Sequence, residues 1–387
     1  MLFQKMRVII KNKRNMKIGI VGTRGVPARY GGFETCAEEL SVGLVKRGHK
    51  VLVSSRRYLY PERAISYKGV SLCYPPSIPG KITDTFSHTF FSILRIILWS
   101  PDVMLIFNSA NSPLAIIPKL FGEKVVINID GLEWKRAKWG KVAKMYYKFA
   151  EFFSSVIADV VVSDANAIKD YYLRKYGRES VYIPYGAPDI EKKKPEILKR
   201  YGLEPYGYFF IASRLEPENH QDMAVEAFQQ VKTDKFLVIA GSANWKSPYV
   251  KRLKEKKDKR IVFLGPVYEP GYVEELHSNA YAYIHGNEVG GTNPALLKAM
   301  GSGNCVIALD VPFNREVLGD AGLYFKDVME LRRNMEFLLE NQQVLNSLRA
   351  KAKERARSLY RWEDVVDRYE KVFMGLLYGK KKRSDII

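Results

Sequence analysis

The stretch that decides the fold is GTRGVPARYGGFETC, residues 22–36, which places four glycines and two arginines in one short turn. The apolar run KIGIV at 17–21 predicts a buried strand before the turn. Phe33, Leu40 and Leu44 recur at helical spacing after it. The segment is therefore predicted to be a strand, a glycine-rich turn and a helix.

The composition of this turn indicates an anion site. Glycine tolerates positive φ and lets a ligand approach the backbone, and the N-terminus of a helix offers free N–H groups. Arg24 and Arg29 add positive charge, which favours a ligand such as a diphosphate. The structural alternative is a sterically demanding turn without a ligand. The turn residues that we assign to the diphosphate are Gly22, Arg24, Gly25, Gly31 and Gly32.

Two common nucleotide-binding motifs are absent from this region. Gly19, Gly22 and Gly25 do not follow the G-x-G-x-x-G spacing, and the next predicted strand ends in Ser-Ser-Arg-Arg, without an acidic residue for a ribose. No Gly-Lys-Ser/Thr follows a glycine at the spacing of a P-loop. A nicotinamide-dependent enzyme and a P-loop enzyme are therefore excluded.

The chain alternates short apolar runs with helical stretches in both halves. At 387 residues, with 47% apolar and 27% charged residues, it has the length and composition of a globular protein of two domains. The alternation predicts two Rossmann-like, doubly wound α/β domains that face a central cleft, with a helical C-terminal tail. Predicted strands lie at 51–54, 103–107, 125–129, 160–163, 209–212, 236–240, 261–264, 282–285 and 306–309.

The predicted domain boundaries follow from the charged, proline-terminated linker near residue 190. We place the first domain at 1–189, the second at 190–358, and a last helix with a basic tail at 359–387. We expect that last helix to cross back to the first domain. Ligands of such open sheets bind where the strands end, so both domains contribute to the predicted cleft.

The formal net charge of +20 indicates an acidic partner, which is a nucleic acid, an anionic membrane or a phosphorylated substrate. No run of about twenty apolar residues is present, so no membrane span is predicted. Basic residues alternate with aromatic ones over 135–153, which suits an anionic membrane surface. The apolar stretch 85–100 predicts equally a helix on a bilayer and a helix in the core.

A second motif, RLEPENH, places Arg214 at the end of a predicted strand. A guanidinium there can pair with a phosphate through two parallel hydrogen bonds. The structural alternative is a salt bridge to Glu216 or Glu218.

A third motif, HGNEVGGTNPALLK at 285–298, predicts a second anion site. Pro294 fits the first position of a helix, and two glycines just before it expose backbone N–H groups. Asn293 or Thr292 is predicted to cap this helix. Lys298 either adds charge to the site or is a solvated surface lysine. The residues that we assign here to the diphosphate are Gly290, Gly291, Thr292, Asn293 and Lys298.

A fourth motif, NIDGLEWKRAKW at 128–139, predicts a sugar-binding surface. Asp130 ends a predicted strand and is expected to point into the cleft, and two tryptophans offer flat faces to a sugar or to the core.

The sequence lacks an Asp-x-Asp pair and a His/Cys cluster, so we expect no metal. We assign the neutralisation of the diphosphate charge to cationic side chains and helix ends. The predicted acceptor-binding residues are Arg29, Tyr30, Glu133, Trp134, Arg136 and Trp139.

The motifs GTRGVPARYGGFE, NIDGLEWKRAKW, RLEPEN and EVGGTNPALLKAMGSGNCVIA, in this order, resemble glycosyltransferase family 4, the retaining GT-B enzymes. More narrowly, they resemble its bacterial rhamnosyltransferase-type branch. The resemblance covers nearly the whole chain. It implies transfer of L-rhamnose from dTDP-L-rhamnose, with retention, to a polyprenyl-diphosphate-linked saccharide of a surface polysaccharide. It also implies a cytoplasmic enzyme that is peripheral on the inner face of the cell membrane.

The resemblance also implies roles for single residues. Arg214 and the amides of 290–292 stabilise the leaving diphosphate, and Arg24 approaches the same group when the domains close. Glu288 lies close to the donor sugar. Asp130 occupies the place of a histidine in many relatives, and we assign it, with Arg214 and Glu288, to the catalytic group.

The chain departs from the family pattern at two positions. The family usually has a lysine five residues after the arginine of the RL motif, and Asn219 stands there; we keep Asn219 in the donor group. The family also has two glutamates seven residues apart, and the second falls at Lys298. We expect Lys298 to take the phosphate role of the missing lysine.

Three alternatives remain open at this stage. The same fold accepts other donors, such as a UDP-hexose or GDP-mannose. The two departures also fit a sugar-nucleotide binder without activity. The net charge fits a nucleic-acid-binding protein, although the basic residues are spread over several elements and no nucleic-acid module is present, so we expect no nucleic acid.

Overall fold

The structure is a computed structural model in which the chain divides into two compact units. The first unit consists of Met1–Ile129, Phe149–Val162 and Val366–Ile387, and the second of Asp130–Lys148 and Ser163–Val365. The described residues are 15–29, 31–80, 83–129, 131–136, 139–190, 194–241, 247–255, 258–267, 269 and 271–379.

The first sheet has eight strands among the described residues, in the order β3-β4-β2-β1-β5-β6-β7-β8. β1 pairs in parallel with β2 and with β5, and the short β3 pairs with β4 in the antiparallel sense. The strands are β1 (Lys17–Val21), β2 (Lys50–Ser54), β3 (Ser66–Tyr67), β4 (Val70–Cys73), β5 (Val103–Phe107), β6 (Lys124–Ile129), β7 (Val160–Ser163) and β8 (Val181–Tyr182). The α-helices are α1 (Gly32–Lys46), α2 (Thr83–Ile97), α3 (Ile116–Leu120), α4 (Lys141–Ile157) and α5 (Asn166–Tyr176).

The second sheet has six strands in the order β11-β10-β9-β12-β13-β14, and all of its pairs are parallel. The strands are β9 (Tyr208–Ala212), β10 (Phe236–Ala240), β11 (Ile261–Gly265), β12 (Ala282–His285), β13 (Val306–Leu309) and β14 (Leu323–Phe325). The α-helices are α6 (Glu196–Lys199), α7 (Gln221–Gln230), α8 (Pro248–Glu255), α9 (Tyr272–Ser278), α10 (Pro294–Gly301), α11 (Pro312–Leu318), α12 (Val328–Glu340), α13 (Gln342–Leu359) and α14 (Trp362–Tyr378).

The strands form because their sequences are apolar on both faces. All five residues of β5 are buried, and so are all four of β12 and of β13. A parallel strand covered by helices on both faces needs such a continuous apolar run. The fold class predicted from the alternation is therefore confirmed: two Rossmann-like α/β sheets with a C-terminal helical tail.

Each sheet reverses its strand order at one place. The reversal lies between β1 and β5 in the first sheet and between β9 and β12 in the second. Loops that follow strands at such a reversal are the usual ligand-binding position of an open α/β sheet. The turn at 22–31 follows β1, whereas Arg214 and Glu288 follow β9 and β12.

Residues 85–97 of the stretch 85–100 belong to helix α2, which has both an exposed and a buried face. Ile93 and Ile96 are fully buried, and the Ile96 side chain occupies the space that a Cβ at Gly19 would need. Phe86 and Leu94 are exposed. No helix in the described part of the chain combines the length and the apolar character that crossing a membrane requires.

Candidate functional site

Two charged side chains follow the neighbouring strands at the reversal of the second sheet. The Arg214 side chain is 36% exposed, and its nearest carboxylate oxygen is Glu216 Oε1, 3.7 Å from Nη1. The Glu288 side chain is about half exposed, and its Oε2 lies 3.2 Å from His220 Nε2. The long Arg214–Glu216 contact leaves the guanidinium accessible to a further anion.

Buried amide side chains hold the backbone of Arg214 in place. The Asn219 Nδ2 donates to the Arg214 carbonyl at 2.7 Å, and the Gln221 Nε2 donates to the same oxygen at 2.8 Å. Asn219 is buried, so the residue that replaces the usual lysine contacts the protein backbone and adds no charge. A Cβ at Gly286 would overlap the Asn219 carbonyl, which explains the glycine directly after β12.

A cavity of about 670 Å³ lies beside Glu288 in the second unit. Its wall combines the loop after β6, one side of α4 and the loops that follow β9 and β12. The lining residues are Leu132, Trp134, Lys135, Lys144, Lys148, Pro217, Glu218, His220, Glu288, Val289, Gly290 and Phe313. A cavity of this volume is large enough for a small ligand such as a saccharide unit.

The predicted acceptor residues after β6 divide into two groups. Trp134 lines the cavity, and three lysine ammonium groups lie 4.7–5.8 Å from its ring centroid. The Glu133 carboxylate instead interacts within its own loop. Its Oε1 forms an ion pair with Arg136, 2.7 Å from Nε, and its Oε2 accepts a hydrogen bond from Trp139 Nε1 at 3.2 Å. Glu133, Arg136 and Trp139 therefore order the loop that presents Trp134.

The loop after β12 differs from the predicted anion site at Thr292. The Thr292 amide donates to Asp164 Oδ2 at 3.0 Å, its hydroxyl donates to the Asp164 carbonyl, and the residue is buried. A Cβ at Gly291 would overlap the Asp164 carboxylate, so this glycine allows the close approach. The expectation that the Thr292 amide is open to a diphosphate is therefore wrong, because a buried carboxylate already accepts it.

The remaining residues of this loop have separate roles. Asn293 caps α10, since its Oδ1 accepts the Ala295 amide at 3.0 Å and Pro294 is the first helical residue. Gly290 has a φ of +156° and no heavy atom within 4 Å of the place of a Cβ. Gly290 is thus a glycine of this loop at which a Cβ would meet open space.

Lys298 forms an ion pair within the second unit. Its Nζ lies 2.5 Å from Glu274 Oε1, and both side chains are about 30% exposed. The charge that we expected to serve a phosphate is therefore compensated by a carboxylate, and the phosphate role of Lys298 stays a prediction.

The glycine-rich turn of the first unit is shaped by packing. Gly22 has a φ of +91° and Gly25 a φ of +126°, and a Cβ would overlap the Phe107 carbonyl at the first and the Ser55 side chain at the second. The Arg24 amide donates to Glu34 Oε1 at 2.8 Å. These contacts agree with the structural alternative for Gly22 and Gly25, a sterically demanding turn.

The other predicted residues of this turn lie close to α1 or pair locally. Gly31 caps α1, and Gly32 is its first residue. The Arg29 guanidinium donates to the Leu59 carbonyl and to Glu62 Oε1, both at 2.5 Å. The predicted residues Tyr30 and Asp130 lie outside the described residues.

Buried histidines below the site do not titrate in the neutral range. Burial lowers the pKa of His285, the last residue of β12, to about 3. The pKa of His277 is also well below its ordinary value, first because of burial and then because of the nearby Lys298 charge. Among the described residues, no group of three or more His, Cys, Asp or Glu side chains is arranged to hold a metal ion.

Sequence reasoning missed several residues at this site. Lys144, Lys148 and His220 line the cavity, and Asp164 holds the Gly291–Thr292 segment. The one available signal was the alternation of lysines and aromatic residues over 135–153, which we interpreted only as a membrane-binding pattern.

Two family models match the sequence. Residues 193–358 match the model described as glycosyl transferases group 1, and residues 112–188 match a domain of unknown function, DUF1972. No curated protein matches the sequence.

Several solved structures resemble nearly the whole chain. Sucrose-phosphate synthase from Thermosynechococcus elongatus has a TM-score of 0.79 at 16% identity, over 95% of this chain and 100% of that chain. Anabaena HepE in complex with UDP and glucose has a TM-score of 0.75 at 16% identity, over 93% and 100%. A variant of S. aureus TarM in complex with Fondaparinux, alpha-GlcNAc-glycerol and UDP has a TM-score of 0.71 at 10% identity, over 92% and 99%. The fold is thus the GT-B fold, and residues 193–358 are similar to the glycosyl transferases group 1 family.

Proposed function

We propose that this protein is a retaining glycosyltransferase that transfers a sugar from a nucleotide-sugar donor to a saccharide acceptor. The observation that supports it best is the position of Arg214 and Glu288 at the ends of neighbouring strands, where the sheet order reverses within the group 1 domain. A guanidinium at this place neutralises the charge that develops on a leaving diphosphate, so that no metal is required for this step. Glu288, next to the cavity, contacts the sugar.

The donor and acceptor that we propose are dTDP-L-rhamnose and a polyprenyl-diphosphate-linked saccharide. The proposal rests on the resemblance of the four motifs to the rhamnosyltransferase-type branch of glycosyltransferase family 4. In this proposal residues 190–358 bind the donor, residues 1–189 bind the acceptor, and the net charge of +20 serves an acidic, membrane-borne substrate. The enzyme then works in surface-polysaccharide synthesis, at the cytoplasmic face of the membrane.

A UDP-hexose donor is the second candidate. HepE is described with UDP and with UDP-glucose, and TarM with UDP. These proteins share the fold with this chain at identities of 16% or less, so the base and the sugar of its donor need a direct measurement.

Thermal unfolding of the protein with a panel of nucleotides and nucleotide sugars tests the donor. A ligand at a hundred times its dissociation constant stabilises a protein by about 2.7 kcal/mol, which shifts the midpoint measurably. We expect a selective shift with dTDP and dTDP-rhamnose. A shift with UDP species alone identifies a UDP-sugar as the donor in place of dTDP-rhamnose and leaves the proposed reaction class unchanged.

A matched variant separates the predicted phosphate site from a general effect of charge. Arg214→Ala is expected to abolish the shift, whereas Arg29→Ala, which removes a charge already paired with Glu62, is expected to preserve it. Absence of a shift with every nucleotide contradicts the proposed function. Steeply salt-dependent binding to random duplex DNA instead supports the nucleic-acid alternative.

A further inference from the structure

His220, the residue directly before helix α7, has an unfavourable backbone conformation. Its φ is +51° and its ψ is +37°, in the left-handed region that costs free energy in every residue except glycine. Six residues other than glycine have a positive φ in the described part of the chain, and of these His220 alone lines the cavity. A strained residue at a ligand cavity indicates that its side chain serves the site.

The imidazole of His220 does not stabilise the helix that follows it. His220 has the position of the N-terminal cap of α7, but its side chain accepts no hydrogen bond from the first turn of that helix. Its carbonyl accepts the Ala224 amide at 3.3 Å, and the carbonyl of any other residue would do the same. Capping therefore does not explain a histidine at this position.

Two loops of the second unit fix the backbone of His220. Its amide donates to the Pro217 carbonyl at 3.1 Å, and the place of a Cβ at Gly286 lies 3.3 Å from the His220 Cβ. The Glu288 amide in turn donates to the Glu218 carbonyl at 3.0 Å. The loops after β9 and β12 are therefore held side by side, which places the His220 and Glu288 side chains next to each other.

The imidazole contacts the carboxylate of Glu288. His220 Nε2 lies 3.2 Å from Glu288 Oε2, and because a carboxylate only accepts hydrogen bonds, the imidazole N–H donates. Among the described residues, His220 is the one side chain that hydrogen-bonds to this carboxylate, and Glu288 Oε1 accepts no hydrogen bond from them. The contact therefore restricts the rotamers of Glu288 and leaves Oε1 available to a ligand.

Stability alone does not explain the His220–Glu288 pair. The Glu288 side chain is 54% exposed, and an exposed pair contributes little to the free energy of unfolding. The left-handed backbone of His220 lowers that free energy. A pair that requires backbone strain and adds little stability is expected where it serves the binding of a ligand.

We propose that His220 is a positioning residue for Glu288, which it holds so that Oε1 accepts a hydroxyl group of the donor sugar. An acceptor that is fixed in this way favours a sugar whose hydroxyl lies at the matching place. The role rests on the proposed function, in which Glu288 contacts the sugar, and it requires no contact between His220 and the ligand. Loss of the imidazole is therefore expected to affect binding of the sugar and not of the nucleotide.

Calorimetric binding of dTDP-L-rhamnose and of dTDP to the full-length protein tests this role, with UDP-glucose and UDP measured in parallel. His220→Asn relieves the backbone, since asparagine tolerates the left-handed conformation, but its shorter side chain does not reach Glu288. We expect this variant to weaken the nucleotide sugar about fivefold or more and the free nucleotide less than about twofold. Its midpoint of thermal unfolding is expected to equal or exceed that of the unmodified protein.

Two further variants separate the hydrogen bond from the backbone conformation. His220→Gln keeps both the strain and an N–H at about the reach of Nε2, so we expect the affinity for the nucleotide sugar to stay within about twofold of that of the unmodified protein. Arg63→Asn is the control for backbone relief, because Arg63 is exposed, has a φ of +43° and belongs to the first unit. We expect it to change neither affinity. A loss in His220→Gln as large as in His220→Asn overturns the proposal.

A double-mutant cycle with Glu288→Ala tests whether His220 acts through Glu288. Two residues of which one acts through the other give losses that are not additive. We expect Glu288→Ala to weaken the nucleotide sugar at least as much as His220→Asn, and the double variant to lose no more than Glu288→Ala alone. Additive losses overturn the proposal. An equal loss of nucleotide and nucleotide sugar in His220→Asn also overturns it, because the loop is then distorted as a whole.

Failure of the proposed function gives a different result. If no nucleotide binds the unmodified protein, the proposed function is contradicted, and the role of His220 is contradicted with it. If nucleotides and nucleotide sugars bind and His220→Asn leaves both affinities unchanged, the role of His220 alone is overturned.

Discussion

The chain has two glycine-rich turns at corresponding places, one after β1 and one after β12, and they are stabilised differently. In the first turn Gly22 and Gly25 adopt positive φ, and neighbouring atoms already fill the space that a Cβ would need at either residue. Glu34, from the helix that directly follows, accepts the hydrogen bond of the Arg24 amide. In the second turn Asp164 accepts the Thr292 amide from 128 residues away, and Gly290 faces open space. Similar compositions therefore give a locally packed turn in one case and a turn with an open position in the other.

The difference shows what a glycine count can and cannot indicate. A glycine is required wherever a Cβ has no room or φ is positive, and both causes operate in a turn with or without a ligand. Only the surroundings distinguish the cases, because they determine which amides already have acceptors. The second turn also lies beside a cavity, and it follows a strand that neighbours the one before Arg214.

The largest expected effect concerns one arginine from each region. Arg214→Ala is expected to lower kcat/KM about 10²- to 10³-fold, as does loss of a group that stabilises a developing anion. Arg29→Ala is expected to change it less than about threefold, since an exposed pair with Glu62 contributes little. Steady-state kinetics with the donor that stabilises the protein measures kcat/KM for both variants. An equal loss of kcat/KM in the two variants contradicts the expectation that Arg214 serves the donor and Arg29 does not.

Alanine substitution of one glycine in each turn, Gly22 and Gly290, compares the two turns by the free energy of unfolding. Gly22→Ala is expected to lower the free energy of unfolding by about 3 kcal/mol or more, since a positive φ and an overlap with the Phe107 carbonyl act together. Gly290→Ala is expected to cost about 1–2 kcal/mol, because only the backbone conformation is strained. Urea unfolding of both variants checks the order, and a larger loss at Gly290 contradicts it.

The next comparison concerns Asp164 and Glu34, the carboxylates that accept backbone amides of the two turns. Asp164→Asn removes a charged acceptor from the buried Thr292 amide and is expected to cost about 1–3 kcal/mol and to weaken donor binding. Glu34→Gln is expected to cost about 1 kcal/mol and to leave donor binding unchanged, because the first turn is held by packing as well. Calorimetric donor binding beside urea unfolding separates the two outcomes.

Acid is expected to destabilise the second unit more than the first. Burial lowers the pKa of His88 to about 4 in the first unit. In the second unit it lowers the pKa of His285 to about 3 and holds the pKa of His277 well below its ordinary value. Between pH 6.5 and 4 these side chains bind protons only when unfolded, so stability falls as the pH falls, by at most about 1.4 kcal/mol per pH unit for each histidine. Hydrogen exchange at pH 7 and 5 resolves the two units, and equal losses contradict the expectation.

The smallest effect is expected at Lys298. Its charge is compensated by Glu274, so Lys298→Met is expected to change the donor KM by less than about threefold. An increase of the donor KM by tenfold or more supports the phosphate role of Lys298 that the sequence suggested. Glu274→Gln provides the control, since it frees the lysine without removing its charge.

The alternation of apolar and polar runs was sufficient to predict the fold, because buried parallel strands have a strong local signal. The strands β5, β7, β10, β12 and β13 have the predicted bounds. β3, β4, β8 and β14 went unpredicted. β3, β8 and β14 have only two or three residues, and the apolar run of β4 is interrupted by the exposed Ser71. Their place in the sheets depends on pairing with neighbours.

The site was less predictable because its chemistry depends on distant side chains. The motifs located Arg214 and Glu288, which follow strand ends and so could be placed from the sequence. Nothing local indicated that Asp164 accepts the Thr292 amide, or that Glu274 compensates Lys298. Periodicity reports the face on which a residue lies, but it cannot report which partner from another element reaches the same place.

The last helix has a consequence for biosynthesis. α14 extends to Tyr378, and its residues from Val366 onward belong to the first unit, where Tyr369 and Phe373 are buried and Glu370 Oε1 lies 3.0 Å from His49 Nε2. A ribosome makes these residues after those of the second unit, so the first unit cannot complete its core until the second has been synthesised. Nascent chains that stall before Val366 are therefore expected to present an incomplete first unit to chaperones and proteases.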